Sequence, residues 1–96
     1  MDTINSSAPE VPPSLRELET DQKVVGVKQL KKALREGRVK CVYVAENADP
    51  QLTASLYSLC GKRQVPLVWV PTMAELGKAC GIDVGAAAAA LLHPIR

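Results

Sequence analysis

The stretch GVKQLKK, residues 26–32, places a glycine, three lysines and an amide at the start of a helical pattern. A helix N-terminus carries unpaired N–H groups and a partial positive charge, which together attract an anion. Gly26 has no Cβ, so another backbone can approach it closely. Lys28 and Lys32 lie four residues apart and share a face, and Gln29 offers a donor and an acceptor to base edges. These residue types favour nucleic-acid binding, although an ordinary lysine-rich surface helix would have the same pattern.

A second candidate stretch is LGKACGIDVGAA, residues 76–87, in which a helix is predicted to end at Gly81. Ile82, Asp83 and Val84 then form a loop. If its apolar side chains are exposed, they can hold an unstacked base, and if they point inward they belong to the core. The sequence leaves both alternatives open.

The residues that most often carry out catalysis lie far apart in this chain. Cys41, Cys60 and Cys80 form no CxxC pair, and His93 is the single histidine. A zinc site needs about four ligands at short spacings, and a nucleophile needs a neighbouring base. We therefore expect three buried, reduced thiols, no metal site and no catalytic residues.

Carboxylates and glycines complete the argument against an enzyme. Glu46 and Asp49 lie at a predicted turn, where carboxylates usually act as solvated caps. No glycine-rich loop of the P-loop or dinucleotide type is present. We predict no enzyme activity and no cofactor.

Positive charge is concentrated in one part of the chain. Residues 1–22 hold five acids and one base, whereas residues 23–96 hold eleven bases and five acids. Within residues 23–40 there are seven bases and a single acid, Glu36. Such a field suggests a polyanionic partner, to which Lys31, Arg35 and Arg38 would contribute non-specific attraction, but a solvated basic face remains the alternative.

Helical and strand periodicities alternate along the chain, which predicts a three-layer α/β/α sandwich. The predicted elements are helices at 14–22, 28–37, 50–60 and 72–80 and strands at 23–25, 39–45 and 65–70. The spacing of strand, helix and strand between 40 and 70 suits a parallel crossover. The segment AAAAALL, residues 86–92, has the propensity of a helix but could equally form a central strand between two helix layers.

Cap residues mark the ends of the predicted helices. Asp49 can cap a helix whose first residue is Pro50, and Gly61 is expected to end it. Thr72 and Glu75 form a capping box that opens the next helix.

Residues 1–13 hold three prolines and few large apolar residues, so they are predicted to form a disordered arm, with residues 14–96 as a single domain. The N-terminus lacks the basic and then apolar pattern of a secretory signal, and the longest apolar run is too short for a membrane span. We therefore expect a soluble, cytoplasmic protein.

Four segments in order resemble the kink-turn-binding ribosomal protein family named after the archaeal large-subunit protein L-seven-Ae, especially its small bacterial members. These segments are GVKQLKKALREGRVK, VYVAENADP, VPLVWV and LGKACGIDVGAAA, and the resemblance extends from Lys23 to Leu92. It implies an α/β/α sandwich with a mixed, mainly four-stranded sheet, in which AAAAALL is a strand. It also implies binding to a kink-turn, a sharply bent RNA with tandem sheared G·A pairs, in ribosomal or other non-coding RNA.

The resemblance also assigns roles to residues. The family's Asn-Glu pair, which reads the G·A pairs, corresponds to Lys28 and Gln29, and its lysine one turn later corresponds to Lys32. Asp49 corresponds to an acidic residue near the flipped-out nucleotide. The complete implied site is Gly26, Lys28, Gln29, Lys31, Lys32, Arg35, Asp49, Lys78, Ile82, Asp83 and Val84. Gly85 replaces a proline that is common in archaeal members.

Two hypotheses about function follow from this resemblance. The first is a ribosomal or ribosome-associated RNA-binding protein that is monomeric when free. The second is a protein-interaction adaptor of the same fold, because relatives of the family include stress-response proteins of that kind. Salt-sensitive binding to a kink-turn would separate the two.

Overall fold

A computed structural model describes residue 18, residue 20 and residues 22–93. Strands and helices alternate in it, as the periodicity predicts. The strands are β1 (Lys23–Val25), β2 (Val39–Ala45), β3 (Leu67–Val70) and β4 (Ala88–Leu92), and the helices are α1 (Val27–Arg35), α2 (Pro50–Arg63) and α3 (Met73–Ala79). The predicted arm at 1–13 lies outside the described residues, as do six of the nine residues of the predicted helix at 14–22.

The four strands form one mixed sheet in the order β1-β4-β2-β3. Strands β2 and β3 are parallel, with α2 between them in sequence, which confirms the predicted crossover. Strand β4 is antiparallel to both β1 and β2. Because β4 lies in the interior of the sheet, the alanine-rich segment is buried on both faces.

Helices cover both faces of the sheet. Val42 and Val44 of β2 pack into a cluster with buried residues of α1 and α2. Tyr43 and Ala45, on the other face, pack into a cluster with Leu76 of α3. Side chains therefore alternate between two cores along β2, and the predicted three-layer α/β/α sandwich is confirmed.

The segment AAAAALL, for which the residue pattern left helix and strand open, contains the central strand β4. Ala88, Ala89 and Ala90 are each fully buried. Alanine favours a helix in isolation, but small side chains on both faces of a central strand let the two helix layers pack closely. Tertiary packing outweighs local propensity here.

The end of α2 differs from the prediction. The helix continues through Gly61 to Arg63 and ends at Gln64, which adopts a left-handed conformation with φ of 57°. Val65 N–H then donates to the Cys60 carbonyl at 3.0 Å, so Val65 belongs to the helix cap and β3 begins only at Leu67. Gly61 tolerates a helical backbone, so its presence did not require a stop.

Gln64→Gly is expected to raise the free energy of unfolding by about 0.5–1 kcal/mol, because glycine adopts a left-handed backbone without the steric cost that a Cβ brings. Urea unfolding followed by circular dichroism measures the change. The matched control is Lys62→Gly in the right-handed part of the same helix turn, which should lower stability by about 1 kcal/mol. Equal destabilisation by both variants would contradict the interpretation.

Candidate nucleic-acid interface

Helix α1 begins at Gly26, which no other residue type could readily replace. Its φ is 104° and its ψ is 148°, a conformation that a Cβ strongly disfavours. The Gly26 N–H donates to the Ala88 carbonyl at 3.0 Å, and the Gly26 carbonyl accepts from the Leu30 N–H at 3.0 Å. Among the described residues, no heavy atom beyond Gly26 and its two chain neighbours lies within 4 Å of the position that a Cβ would occupy. The glycine therefore starts the helix and leaves open space beside its first turn.

The first turn of α1 has unpaired hydrogen-bond donors. No side chain among the described residues caps the helix, and its first turn holds no acidic residue. The N–H groups of Val27, Lys28 and Gln29 therefore keep the partial positive charge of a helix N-terminus. With the open space at Gly26, this arrangement can accept an anionic group or a base edge.

The exposed side of α1 carries the cations that the sequence singles out. Lys28, Gln29, Lys32 and Arg35 are exposed, whereas Lys31 is half-buried. The opposite side, with Leu30, Ala33 and Leu34, is buried in the core. Lys28, Lys32 and Arg35 thus form a cationic stripe along the whole helix.

The one acid in this region is already paired. Glu36 accepts a hydrogen bond from the Arg38 guanidinium at 3.1 Å, on the surface. Lys28, Lys32 and Arg35 make no ion pair within the described part of the chain. Their charge is therefore available to a polyanionic partner.

Hydrogen bonds bring three separate segments to one end of the sheet. Gly26, at the start of α1, bonds to Ala88 at the beginning of β4. Ala45 N–H, at the end of β2, donates to the Ala87 carbonyl at 2.9 Å, and Glu46 N–H donates to the Val70 carbonyl at 2.8 Å. The start of α1, loop 46–49 and loop 80–87 therefore lie side by side, and we call this surface the upper end.

Asp49 lies at the upper end and is exposed, as the N-cap of α2. One of its carboxylate oxygens accepts from the Gln51 N–H at 2.8 Å. This bond confirms the predicted cap and fixes the direction of the carboxylate, whose second oxygen can still accept another hydrogen bond.

Asn47 holds the upper end together, and the sequence did not single it out. Its amide oxygen accepts from the Met73 N–H at 2.8 Å, which joins loop 46–49 to the start of α3. Thr72 caps the same helix by accepting from the Glu75 N–H at 3.1 Å, as predicted. Asn47 lies in a turn-forming stretch, but its partner is 26 residues away. No local pattern could have identified this contact.

Loop 80–87 packs tightly against α3. The Ile82 N–H donates to the Gly77 carbonyl at 3.1 Å, and the Ala86 N–H donates to the Met73 carbonyl at 3.0 Å. A Cβ on Gly77 would overlap the Val84 carbonyl oxygen. The loop is therefore held in one position by the helix beside it.

Of the two apolar residues in loop 80–87, one packs toward the core and the other is exposed. Ile82 is half-buried and packs against the core cluster beside α3. Val84 is 70% exposed, and Asp83 is exposed beside it. Lys78, in the last turn of α3, is also exposed. Val84 is the large apolar residue of this loop that is exposed for contact with a partner.

The cysteines form no disulfide, but only two of them are buried as predicted. Cys60 and Cys80 are buried, whereas Cys41 is half-buried on β2. Burial raises the pKa of the Cys60 thiol, with a further increase from Cys41. Burial likewise raises the pKa of Cys80, against a smaller lowering by Lys23. A catalytic thiol needs a lowered pKa, so the structure argues against thiol-dependent chemistry at these two residues.

Native alkylation with iodoacetamide at pH 8 should modify Cys41 much faster than Cys60 or Cys80. The latter two are shielded, and their raised pKa keeps them protonated. Peptide mass spectrometry of a time course measures the three rates. Unfolding in urea is the control and should make the rates similar. Fast native modification of Cys60 or Cys80 would contradict this prediction.

Within the described residues, no group of three or more potential metal ligands lies together. No helix in the same part of the chain has the length and apolar character that crossing a membrane requires.

Comparison with known proteins finds bacterial relatives at substantial identity. An RNA-binding protein of Bacillus pumilus is 49% identical over 69 residues, which cover 72% of this chain and 84% of that protein. An RNA-binding protein of Halalkalibacterium halodurans is 44% identical over 68 residues, covering 71% and 83%.

Solved structures show the same fold. A protein of unknown function from Bacillus halodurans superposes with a TM-score of 0.76 at 25% identity, covering 84% of this chain and 85% of that one. The Giardia lamblia 15.5 kD RNA-binding protein superposes with a TM-score of 0.78 at 23% identity, covering 84% and 72%.

A family match covers most of the chain, from residue 13 to residue 94. The members of this family that bind RNA are not enzymes, in agreement with the prediction from the residues. The chain belongs to the ribosomal protein L7Ae/L30e/S12e/Gadd45 family.

Proposed function

We propose that this protein binds RNA and recognises a kink-turn through the upper end of its sheet. The observation that carries the proposal is the convergence there of the uncapped start of α1, the Asp49 loop and the exposed Val84 loop. RNA is recognised mainly by its shape, by unstacked bases and by contacts across its wide minor groove. A surface that combines an open helix start, a cationic stripe and an exposed apolar residue suits each of these features.

The helix start would read the bases. Lys28 and Gln29 are exposed in the first turn, beside the open space at Gly26. Gln29 can donate to and accept from a base edge, and Lys28 can donate to a base acceptor or to a phosphate. Lys31, Lys32 and Arg35 lie further along α1 and would contact the phosphate backbone.

Loop 80–87 and Asp49 would hold the flipped-out nucleotide. Val84 is exposed for contact with the face of an unstacked base, and Ile82 anchors the same loop in the core. Asp49 and Asp83 supply acceptors for base or ribose donors, and Lys78 supplies a cation near the same loop.

Relatives support this proposal. The bacterial proteins at 49% and 44% identity are RNA-binding proteins by name, and the family includes ribosomal proteins. We infer a cytoplasmic protein that binds ribosomal RNA or another non-coding RNA, and that is monomeric when free. The absence of an acid in the first turn of α1 agrees with a polyanionic partner at that position.

Titration against two RNAs tests the proposal. One is a kink-turn duplex, and the other is the same duplex with its tandem G·A pairs replaced by Watson–Crick pairs. We expect tighter binding to the kink-turn by about 10³-fold, in the range typical of specific over non-specific nucleic-acid binding, and strong salt dependence for both. Equal affinity for the two RNAs would contradict kink-turn recognition, and no binding at low salt would contradict RNA binding altogether.

The adaptor alternative is favoured by one observation. Tyr57 and Trp69 are 63% and 43% exposed, although the chain has only three aromatic residues. Exposed aromatics are common at protein interfaces. The same titration separates the alternatives, because an adaptor without RNA-binding activity would show no salt-sensitive RNA affinity.

A further inference from the structure

A second basic surface lies at the opposite end of the sheet from the upper end. There α1 and α2 end, β2 and β3 begin, and β4 ends. These termini enclose a cleft of about 380 Å³, which we call the basal cleft. Its polar lining includes Lys40, Arg63, Gln64 and His93, and its apolar lining includes Leu34 and Val39.

Among the described residues, the lining of the basal cleft carries two cations, Lys40 and Arg63, and no carboxylate. Lys40, Arg63 and His93 are all exposed. The acid nearest in sequence, Glu36, is occupied by Arg38. In the described part of the chain, the cleft therefore gathers hydrogen-bond donors with no carboxylate among its lining residues.

Helix C-termini attract basic side chains, which offers a simple structural explanation for part of this arrangement. It accounts for Arg63, which lies in the last turn of α2. It does not account for Lys40, which is on β2, or for His93, which follows β4. Two cations and an imidazole from three different segments therefore meet where a helix end explains only Arg63.

The cationic stripe of α1 connects the two ends of the molecule. Lys28 lies at the upper end, Arg35 occupies the last helical position, and Leu34 beside it lines the basal cleft. Strand β2 covers a similar path with seven residues, or roughly 23 Å at about 3.3 Å per residue. A polyanion bound at the upper end therefore meets positive charge along α1 toward the end of the molecule where the basal cleft lies.

We propose that the basal cleft binds the phosphate backbone of a stem of the same RNA whose kink-turn the upper end recognises. This inference rests on the proposed function and extends it to a second, sequence-independent contact. An RNA backbone fits better than a small anion, because the cations are exposed and a small anion would keep its water. A stem with many phosphates gains affinity by releasing counterions along α1 and at the cleft.

The experiment compares two kink-turn RNAs, one with a short stem and one with that stem extended by about one helical turn. Affinities are measured for the unchanged protein, for the double variant Lys40→Ala/Arg63→Ala and for the control Lys62→Ala. Lys62 is exposed in the last turn of α2 but does not line the cleft, so Lys62→Ala removes one positive charge beside the site without changing its lining. All three positions are exposed, which keeps the fold intact.

The unchanged protein should bind the extended RNA more tightly, with a salt slope steeper by about 1.4–1.8 for two added phosphate contacts. The ratio of the affinity for the extended RNA to the affinity for the short RNA should decrease by about tenfold between 50 and 200 mM salt. The double variant should lose this advantage and bind both RNAs like the short one. Lys62→Ala should retain most of it.

Three outcomes would overturn the inference: no gain from the extended stem, a full gain in the double variant, or an equal loss in Lys62→Ala. Failure of the short RNA to bind would instead contradict the proposed function. A plain RNA duplex without a kink-turn then tests the cleft by itself, because the double variant should still weaken its low-salt binding and flatten its salt slope. An unchanged slope on that duplex would likewise overturn the inference.

Discussion

Gly77→Ala is expected to lower the free energy of unfolding by about 3 kcal/mol, the largest stability loss that we predict for a single added methyl group. The new Cβ would overlap the Val84 carbonyl oxygen and lie 3.0 Å from the Val84 carbonyl carbon and 3.1 Å from the Gly85 Cα. All three are backbone atoms, so no rotamer change relieves the overlap. For a domain of this size the loss corresponds to a decrease in melting temperature of more than about 10 °C.

Gly61→Ala provides the matched control. Gly61 also lies inside a helix, but apart from its chain neighbours and the backbone of its own helix no heavy atom of the described residues lies within 4 Å of its Cβ position. Alanine is a better helix former than glycine, so this variant should be more stable by about 0.5–1 kcal/mol. The same substitution in two helices should thus have opposite signs. A neutral or stabilising Gly77→Ala in urea unfolding would show that loop 80–87 can move away from α3 at little cost.

The Gly77 variant also bears on the candidate interface. The close approach of α3 and the loop sets the position of Val84, which the proposal places against an unstacked base. Below its melting temperature, folded Gly77→Ala should therefore bind a kink-turn more weakly than folded Gly61→Ala. Equal affinities of the two variants would mean that the position of loop 80–87 does not affect RNA binding.

Much of the fold could be predicted from the sequence because local chemistry and tertiary packing agree. Asp49, Pro50 and Thr72 mark the starts of two helices, and the structure places the predicted caps at these residues. The residues predicted to form a strand at 39–45 form β2, with the same bounds in the structure. The mixed four-stranded sheet followed from the family resemblance rather than from periodicity.

Where local propensity and tertiary packing favour different structures, the sequence pattern did not predict the structure that forms. Gly61 suggested a helix end, but α2 continues to Arg63. The residue that ends it in the left-handed conformation is Gln64. The alanines of β4 have the propensity of a helix but form a strand between two helix layers. For β4, pairing with β1 and β2 and burial between the two helix layers determine the outcome.

In the candidate site, too, some features could be predicted from the sequence and others depend on tertiary packing. The exposed cations and amide of α1 could be predicted, because their helical spacing places them opposite Leu30, Ala33 and Leu34. The split between a half-buried Ile82 and an exposed Val84 depends on how the loop packs on α3, which the sequence leaves open. The Asn47 contact with Met73 and the basal cleft each require the folded chain.

Substitutions along α1 should separate base recognition from phosphate attraction. Gln29→Ala should narrow the difference in affinity between the kink-turn and its G·A-disrupted control, because a lost base contact costs about 1–3 kcal/mol of discrimination. Lys32→Ala should weaken binding to both RNAs alike and reduce the salt slope, because a phosphate contact carries no sequence information. Lys28→Ala should partly narrow the difference in affinity between the two RNAs and partly weaken binding to both, since the Lys28 ammonium can reach a base and a phosphate.

Dissociation constants for both RNAs at two or more salt concentrations measure these effects. Gln29 and Lys32 are both exposed on the same helix, and neither is part of the core. Each variant is therefore the other's control: loss of folding would affect them equally, whereas the proposed roles make their effects differ in kind. Gln29→Ala should change the discrimination ratio with the salt slope unchanged, and Lys32→Ala should do the reverse. An unchanged ratio in a folded Gln29→Ala protein would mean that the start of α1 does not read bases, because no other exposed side chain in that turn both donates and accepts hydrogen bonds.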